Sequence, residues 1–185
     1  MTEQQPYRVV TRHPGFELRR YPPHLIAEVR VEGSFEQAAR DGFRPLAAYI
    51  GGANRSRAEG GGGPAAREAG PATIAMTAPY LQEEADRPGC WLVRIVLPAA
   101  CTPHTLPEPT DPRVRTRSVP GQLAAAVRFR GRWTARAFDR RATALGRAVT
   151  AAGLRPTGAV RYARFDPPWT PSFLRRNEVV LPVAE

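Results

Sequence analysis

At 185 residues, 42% of them hydrophobic, the chain is long enough for one domain with a real core and too short for two, and its composition excludes intrinsic disorder. No run approaches the roughly 18 apolar residues of a membrane span, and Met1–Tyr7 is polar with no signal-peptide core, so one cytoplasmic domain over residues 1–185 is expected. All 27 basic residues are Arg, and the net charge of +10 admits anionic ligands, nucleic acid or a membrane surface as partners.

A strand is predicted near Tyr7–Thr11, a second at Phe16–Arg20 and a third over the alternating run His24–Val31. Ser34 then opens a helix in a Ser-Phe-Glu-Gln capping box, with Gln37 placed to reach back to the cap. Phe35, Ala38, Ala39, Phe43, Leu46, Ala47 and Ile50 follow at helical spacing as one apolar stripe, and Gly51-Gly52 ends it. Pro45 lies inside the stripe, where its missing N–H predicts a kink or a restart. Residues 52–71, with Gly60 to Gly63 in a row, read as a flexible surface loop; its phosphate-binding potential is weak, because a P-loop needs a lysine and the chain has none. Met76 alternates with Ile74 and Ala78, which predicts that it packs beneath the sheet. Cys90 and Cys101 flank the strand Trp91–Pro98. An extended run of that length holds their α-carbons well beyond the roughly 7 Å a disulfide tolerates, so two unlinked thiols are expected.

The pattern then repeats. Arg113, Arg115 and Arg117 alternate along a strand; Leu123, Ala125, Val127 and Phe129 line one face of the next, with Arg128 and Arg130 on the other. If those two strands are neighbours, the arginines form a positive stripe. Thr134 caps a second helix with the stripe Phe138, Ala142, Leu145, Val149 and Ala152, closed by Gly153 and Pro156. Gly33 matches Gly131, and Leu97-Pro98 matches Leu181-Pro182 at the ends of Trp91–Pro98 and Asn177–Pro182. The chain thus reads as two βαββ halves, residues 7–98 and 113–183, of one α+β domain. Antiparallel strands from both halves make a curved sheet or distorted barrel, and the two helices lie against it.

Four ordered segments resemble the SOUL haem-binding protein family: YRVVTRHPGFELRRY (Tyr7–Tyr21), GFRPLAAYIGGAN (Gly42–Asn54), IAMTAP (Ile74–Pro79) and FDPPWTPSFLRRNEVVL (Phe165–Leu181). The resemblance implies the same duplicated βαββ barrel, akin to effector-binding domains. It also implies haem or another porphyrin as ligand, held along the first helix with the loop before the last strand closing over it. On that reading Phe43, Ala47, Ala48 and Ile50 supply an apolar face, Arg44, Arg175 and Arg176 hold the propionates, and Trp169 and Phe173 stack on the macrocycle. As residues alone, Phe43 and Ile50 equally fit an ordinary core, and Arg175 and Arg176 equally fit a pairing with Glu178. Some family members carry a His directly before the Tyr of the opening motif. Arg20 stands there in this chain, and His24 is the remaining axial candidate; His13 and His104 sit beside prolines in predicted loops.

GxSxG, HExxH and CxxC are all missing, so the sequence reads as a binding module rather than an enzyme, with tetrapyrrole turnover left open. Two alternatives stand beside porphyrin storage, delivery or sensing: a module for another amphipathic small molecule, and an Arg-rich surface for nucleic acid or anions. The second lacks the interleaved aromatics that base stacking requires.

Overall fold

Residues two apart on a strand share a face, and this chain uses the alternation to bury both faces of one sheet. The structure is a computed structural model that describes residues 2–55 and 70–184; most of the glycine-rich stretch read as a flexible loop lies outside the described residues. In chain order the elements are β1 (Glu3–Gln4), β2 (Arg8–His13), β3 (Phe16–Tyr21), β4 (His24–Glu32), α1 (Phe35–Ile50), β5 (Asn54–Arg55), β6 (Thr77–Ala78) and β7 (Tyr80–Glu84). They continue with β8 (Cys90–Val96), β9 (Glu108–Pro109), β10 (Arg115–Val119), β11 (Gln122–Arg130), α2 (Ala135–Ala151), β12 (Arg161–Arg164) and β13 (Arg176–Pro182).

Nine strands form one curled antiparallel sheet in the order β10-β4-β8-β7-β12-β13-β11-β3-β2. The successions β4-β8-β7 and β11-β13-β12 abut at the β7–β12 pair. On one face α1 packs over β4 and β8 and α2 over β11 and β13. Leu46, Tyr49 and Ile50 meet Ala27, Val29, Val93 and Ile95 there, while Phe138, Leu145 and Val149 meet Leu123, Ala125, Phe129 and Val179. The other face buries Tyr21, Ile26, Leu81, Ala124, Ala126, Ala163 and Val180.

The helix ends follow their local chemistry. The Ser34 hydroxyl accepts from the Gln37 N–H, and Gln37 Oε1 accepts from the Ser34 N–H, closing the expected capping box. Thr134 caps α2 by accepting from the Ala137 N–H. Gly33 and Gly131, each between a strand and a cap, share φ +139°, a backbone that side chains resist, which is why both turns use glycine.

Several expectations need correction. Pro45 is buried inside one continuous helix, with no restart at that point. Ala152 is the exposed C-cap of α2 and does not extend its stripe. Met76 is 46% exposed where alternation predicted burial, because the chain before β6 is not a strand and carries no period of two. The first main-sheet strand starts at Arg8, after Tyr7, and runs to His13. β10 pairs with β4, whereas β11 pairs with β13 and β3. The two arginine rows are therefore not adjacent, and the positive stripe does not form. Cys90 and Cys101 are unlinked, as expected.

At Gly42 the backbone of α1 lies close against the sheet. A Cβ there would lie 2.6 Å from Val93 Cβ and Cγ2 and 3.2 Å from Val31 Cγ2. Gly42→Ala therefore destabilises the fold by about 1–3 kcal/mol, although alanine is the better helix former. Urea unfolding measures this, and Val93→Ala in the same chain should recover most of the loss. If Gly42→Ala is neutral, the two elements are not in contact there.

Candidate functional site

A row of half-buried aromatics crosses the helix face from α1 to the loop between β12 and β13. Phe43 projects from α1 onto Tyr80 of β7, with ring centroids 5.1 Å apart. Tyr80 meets Trp133, just before α2, edge to face at 6.2 Å. The Arg175 guanidinium lies 4.4 Å from the centre of the Trp133 ring. Asn177 fixes the indole, accepting from Trp133 Nε1 at 2.8 Å and donating to the Gly131 carbonyl at 3.1 Å. Ala47, one turn beyond Phe43, is half-buried, while Ala48 and Arg44 are exposed and Ile50 is buried core.

The loop carries its own fastening. Arg175 donates to the Thr170 carbonyl at 2.8 Å and the Pro168 carbonyl at 2.5 Å, and Asp166 accepts from the Arg176 N–H and guanidinium. Trp169 and Phe173 stand out from it, 82% and 71% exposed. Successive residues point to opposite faces, so Arg175 joins the aromatic row while Arg176 turns away to Asp166 and Phe165. Neither pairs with Glu178, whose partners are Arg19 and Arg128. The structure thus gathers Phe43, Ala47 and Arg175, leaves Trp169 and Phe173 on the same loop as Arg175, and separates Arg176 and Ile50 from the row.

His24 is elsewhere. It shares a strand face with Ile26, on the side of the sheet away from the helices, in a groove of about 410 Å³ lined also by Pro22, Leu25, Thr77, Leu97 and Cys101. Its Nδ1 donates to the Pro22 carbonyl at 2.9 Å, leaving Nε2 to accept from the Gln5 amide at 3.2 Å. Burial holds its imidazole below the ordinary histidine range, and Arg161 and Arg117 push the same way against the Pro22 carbonyl. Among the described residues, no three His, Cys, Asp or Glu gather as a metal ion would need.

Sequence reasoning missed three residues of the site. Tyr80 and Trp133 join the row only through strand pairing and the approach of the two helices, which no local pattern announces. The third is Arg164, 1% exposed, whose guanidinium sits 4.8 Å from the Phe35 ring centre, 5.2 Å from Tyr80 and 5.1 Å from Phe138. Its Nη2 donates to Gln82 Oε1 at 2.9 Å, while among the described residues Nε and Nη1 are buried without a partner. Burial lowers its hold on its proton, opposed by Tyr80 and Glu36. Burial likewise raises the Tyr80 hydroxyl, against the pull of Arg164 and Arg175.

The arrangement offers half-buried rings tilted 47° and 88° to one another, a guanidinium at their edge and two exposed aromatics on the loop beside them, the chemistry that a large apolar ring bearing carboxylates calls for. The profile described as SOUL heme-binding protein matches residues 2–182. The chain belongs to the SOUL haem-binding protein family.

No curated protein matches the sequence. Among solved structures, the crystal structure of the EcmrR C-terminal domain aligns with a TM-score of 0.63 at 13% identity, covering 97% of this chain and 98% of that one. A hydrolase from Listeria innocua aligns at 0.58 and 15% identity, with 90% and 91% covered. SAV2435 bound to tetraphenylphosphonium aligns at 0.50 and 8% identity, with 91% and 93% covered. At such identities the likeness is one of fold, that of effector-binding-domain-like proteins. Membership of the SOUL family carries haem or tetrapyrrole binding as its general property. Among the described residues no helix is long and apolar enough to cross a membrane.

Proposed function

We propose that this SOUL protein binds haem or a related tetrapyrrole on the aromatic row between α1 and the β12–β13 loop. The observation that carries the reading is the unbroken run Phe43–Tyr80–Trp133–Arg175, which joins the first helix to that loop. Phe43, Ala47 and Tyr80 would support the macrocycle. Trp169 and Phe173 would cover it as the loop adjusts, and Arg175, with Arg44 from the exposed side of α1, would meet its carboxylates. Bound iron would supply redox or ligand-binding chemistry; the protein's part is to hold and orient the ring. His24 faces a different groove, so binding on the row proceeds without it.

A haemin titration followed in the Soret band tests this. Saturable one-to-one binding is expected, weakened about tenfold by Phe43→Ala and about tenfold by Arg175→Ala, and unchanged by His24→Ala. Loss of binding in His24→Ala alone would move the ligand to the groove beside Cys101. A second reading, another amphipathic small molecule, is favoured by the tetraphenylphosphonium in SAV2435. Retention of a hydrophobic dye with no saturable haemin binding would select it.

A further inference from the structure

Three arginines are buried in the described residues: Arg19, Arg94 and Arg164. Arg19 has the Glu178 carboxylate at 2.8 Å, and Arg94 has Glu28 at 2.8 Å and Glu83 at 2.6 Å. Among the described residues Arg164 has no carboxylate within salt-bridge reach. The acidic residue that most affects it, Glu36, is exposed and already accepts from the Ala135 N–H at 2.9 Å. A guanidinium stays charged under any condition in which the protein folds, so Arg164 brings a full positive charge and unpaired N–H groups into an aromatic box. Natural interiors seldom leave such donors without an acceptor, and an acceptor that arrives with a ligand accounts for them.

We propose that Arg164 selects the charge of the ligand: it receives a carboxylate of a planar, anionic guest that enters between α1 and α2. This rests on the aromatic row being the ligand face. Of the rings around Arg164, Phe35 and Phe138 are buried and Tyr80 is half exposed, so the approach is from the Tyr80 side. Rotation of that one ring opens the guanidinium toward the row. Arg175 flanks the same ring through Trp133, so two guanidiniums bracket the entry. The site therefore takes aromatic anions, porphyrin dicarboxylates among them, and rejects lipophilic cations of similar size.

The test compares protoporphyrin IX with its uncharged dimethyl ester by tryptophan quenching, in the wild type, Arg164→Met and Arg164→Lys. The wild type should prefer the diacid by about tenfold or more, as a buried charge-assisted hydrogen bond implies. Arg164→Met should bring the two within about twofold, and Arg164→Lys should keep most of the preference. The proposal is overturned if Arg164→Met folds, by circular dichroism, and keeps the full preference. It is equally overturned if the wild type holds the ester as tightly as the acid, a comparison that needs no variant. If the wild type retains neither porphyrin, the tetrapyrrole reading fails separately. Arg164 is then judged with 8-anilinonaphthalene-1-sulfonate against tetraphenylphosphonium: retention of the anion alone, lost in Arg164→Met, supports the assignment, and equal or absent binding overturns it.

Discussion

Glu178→Ala lowers the unfolding free energy by about 3–5 kcal/mol, the range for removing one partner of a buried ion pair. Glu178 is 2% exposed and accepts from Arg19 at 2.8 and 3.2 Å and from Arg128 at 2.8 Å. Arg19 is buried too, with the Tyr7 ring 4.0 Å from its guanidinium, and Glu178 holds its pKa well above the ordinary arginine value despite burial. Removing the carboxylate leaves Arg19 with only the partly exposed Glu17 and the Tyr21 hydroxyl, which burial pushes up to about 12. The damage comes from the charge left behind, so removing both charges together with Arg19→Met and Glu178→Met should cost much less than Glu178→Ala. Glu17→Ala, which removes a more exposed partner, should cost under about 1 kcal/mol. Urea titration with an unchanged m-value reads all three. A loss below about 1 kcal/mol for Glu178→Ala would show that water reaches Arg19.

Phe138→Ala should cost about 3 kcal/mol, the lower end of the range for a buried phenylalanine. Phe138 is fully buried and its ring meets Phe35 at 5.5 Å, Phe129 at 5.1 Å and Tyr162 at 5.4 Å, so one side chain ties both helices to the sheet. The cavity left behind borders the unpartnered nitrogens of Arg164, and a polar cavity holds water where an apolar one stays empty. That water offsets part of the loss. Thermal unfolding measures the total, and Val149→Ala, in an apolar part of the same core, supplies the comparison for a dry cavity. A loss near 5 kcal/mol for Phe138→Ala would mean that the space beside Arg164 stays dry.

What was legible in the sequence was local. The Ser34 and Thr134 caps, the glycines at 33 and 131 and the stripes of both helices are set by backbone groups a few residues away, and their residue types state that chemistry directly. Of the candidate site, Phe43 and Arg175 were legible because they lie in motifs, and strand alternation carries Arg175 to the row. The same alternation sends Arg176 to the far face, which a motif read as a string does not reveal. Tyr80, Trp133 and the true neighbours of β10 depend on which strands pair across the sheet. Arg164 was hidden for a different reason. In a chain with 27 arginines and no lysine, one guanidinium looks like the next until the carboxylates around it are located.

Asn54 closes the chain on itself at the end of α1. Its amide donates to the Tyr49 and Ala72 carbonyls, both at 2.7 Å, and its oxygen accepts from the Ala72 N–H at 2.9 Å. Ala72 is 18 residues further on, and this buried side chain brings the two ends together beside the backbone bond from the Ile74 N–H to the Ile50 carbonyl at 2.8 Å. With both ends fixed by described contacts, residues added between them cost only the closure entropy of a longer span, about 0.6 kcal/mol per doubling. Foreign sequence inserted between Arg55 and Gly70 is therefore expected to leave the domain folded, anchored at both ends beside the C-terminus of α1. The join is thus a port where lineages, or engineers, can append new recognition to an unchanged binding domain.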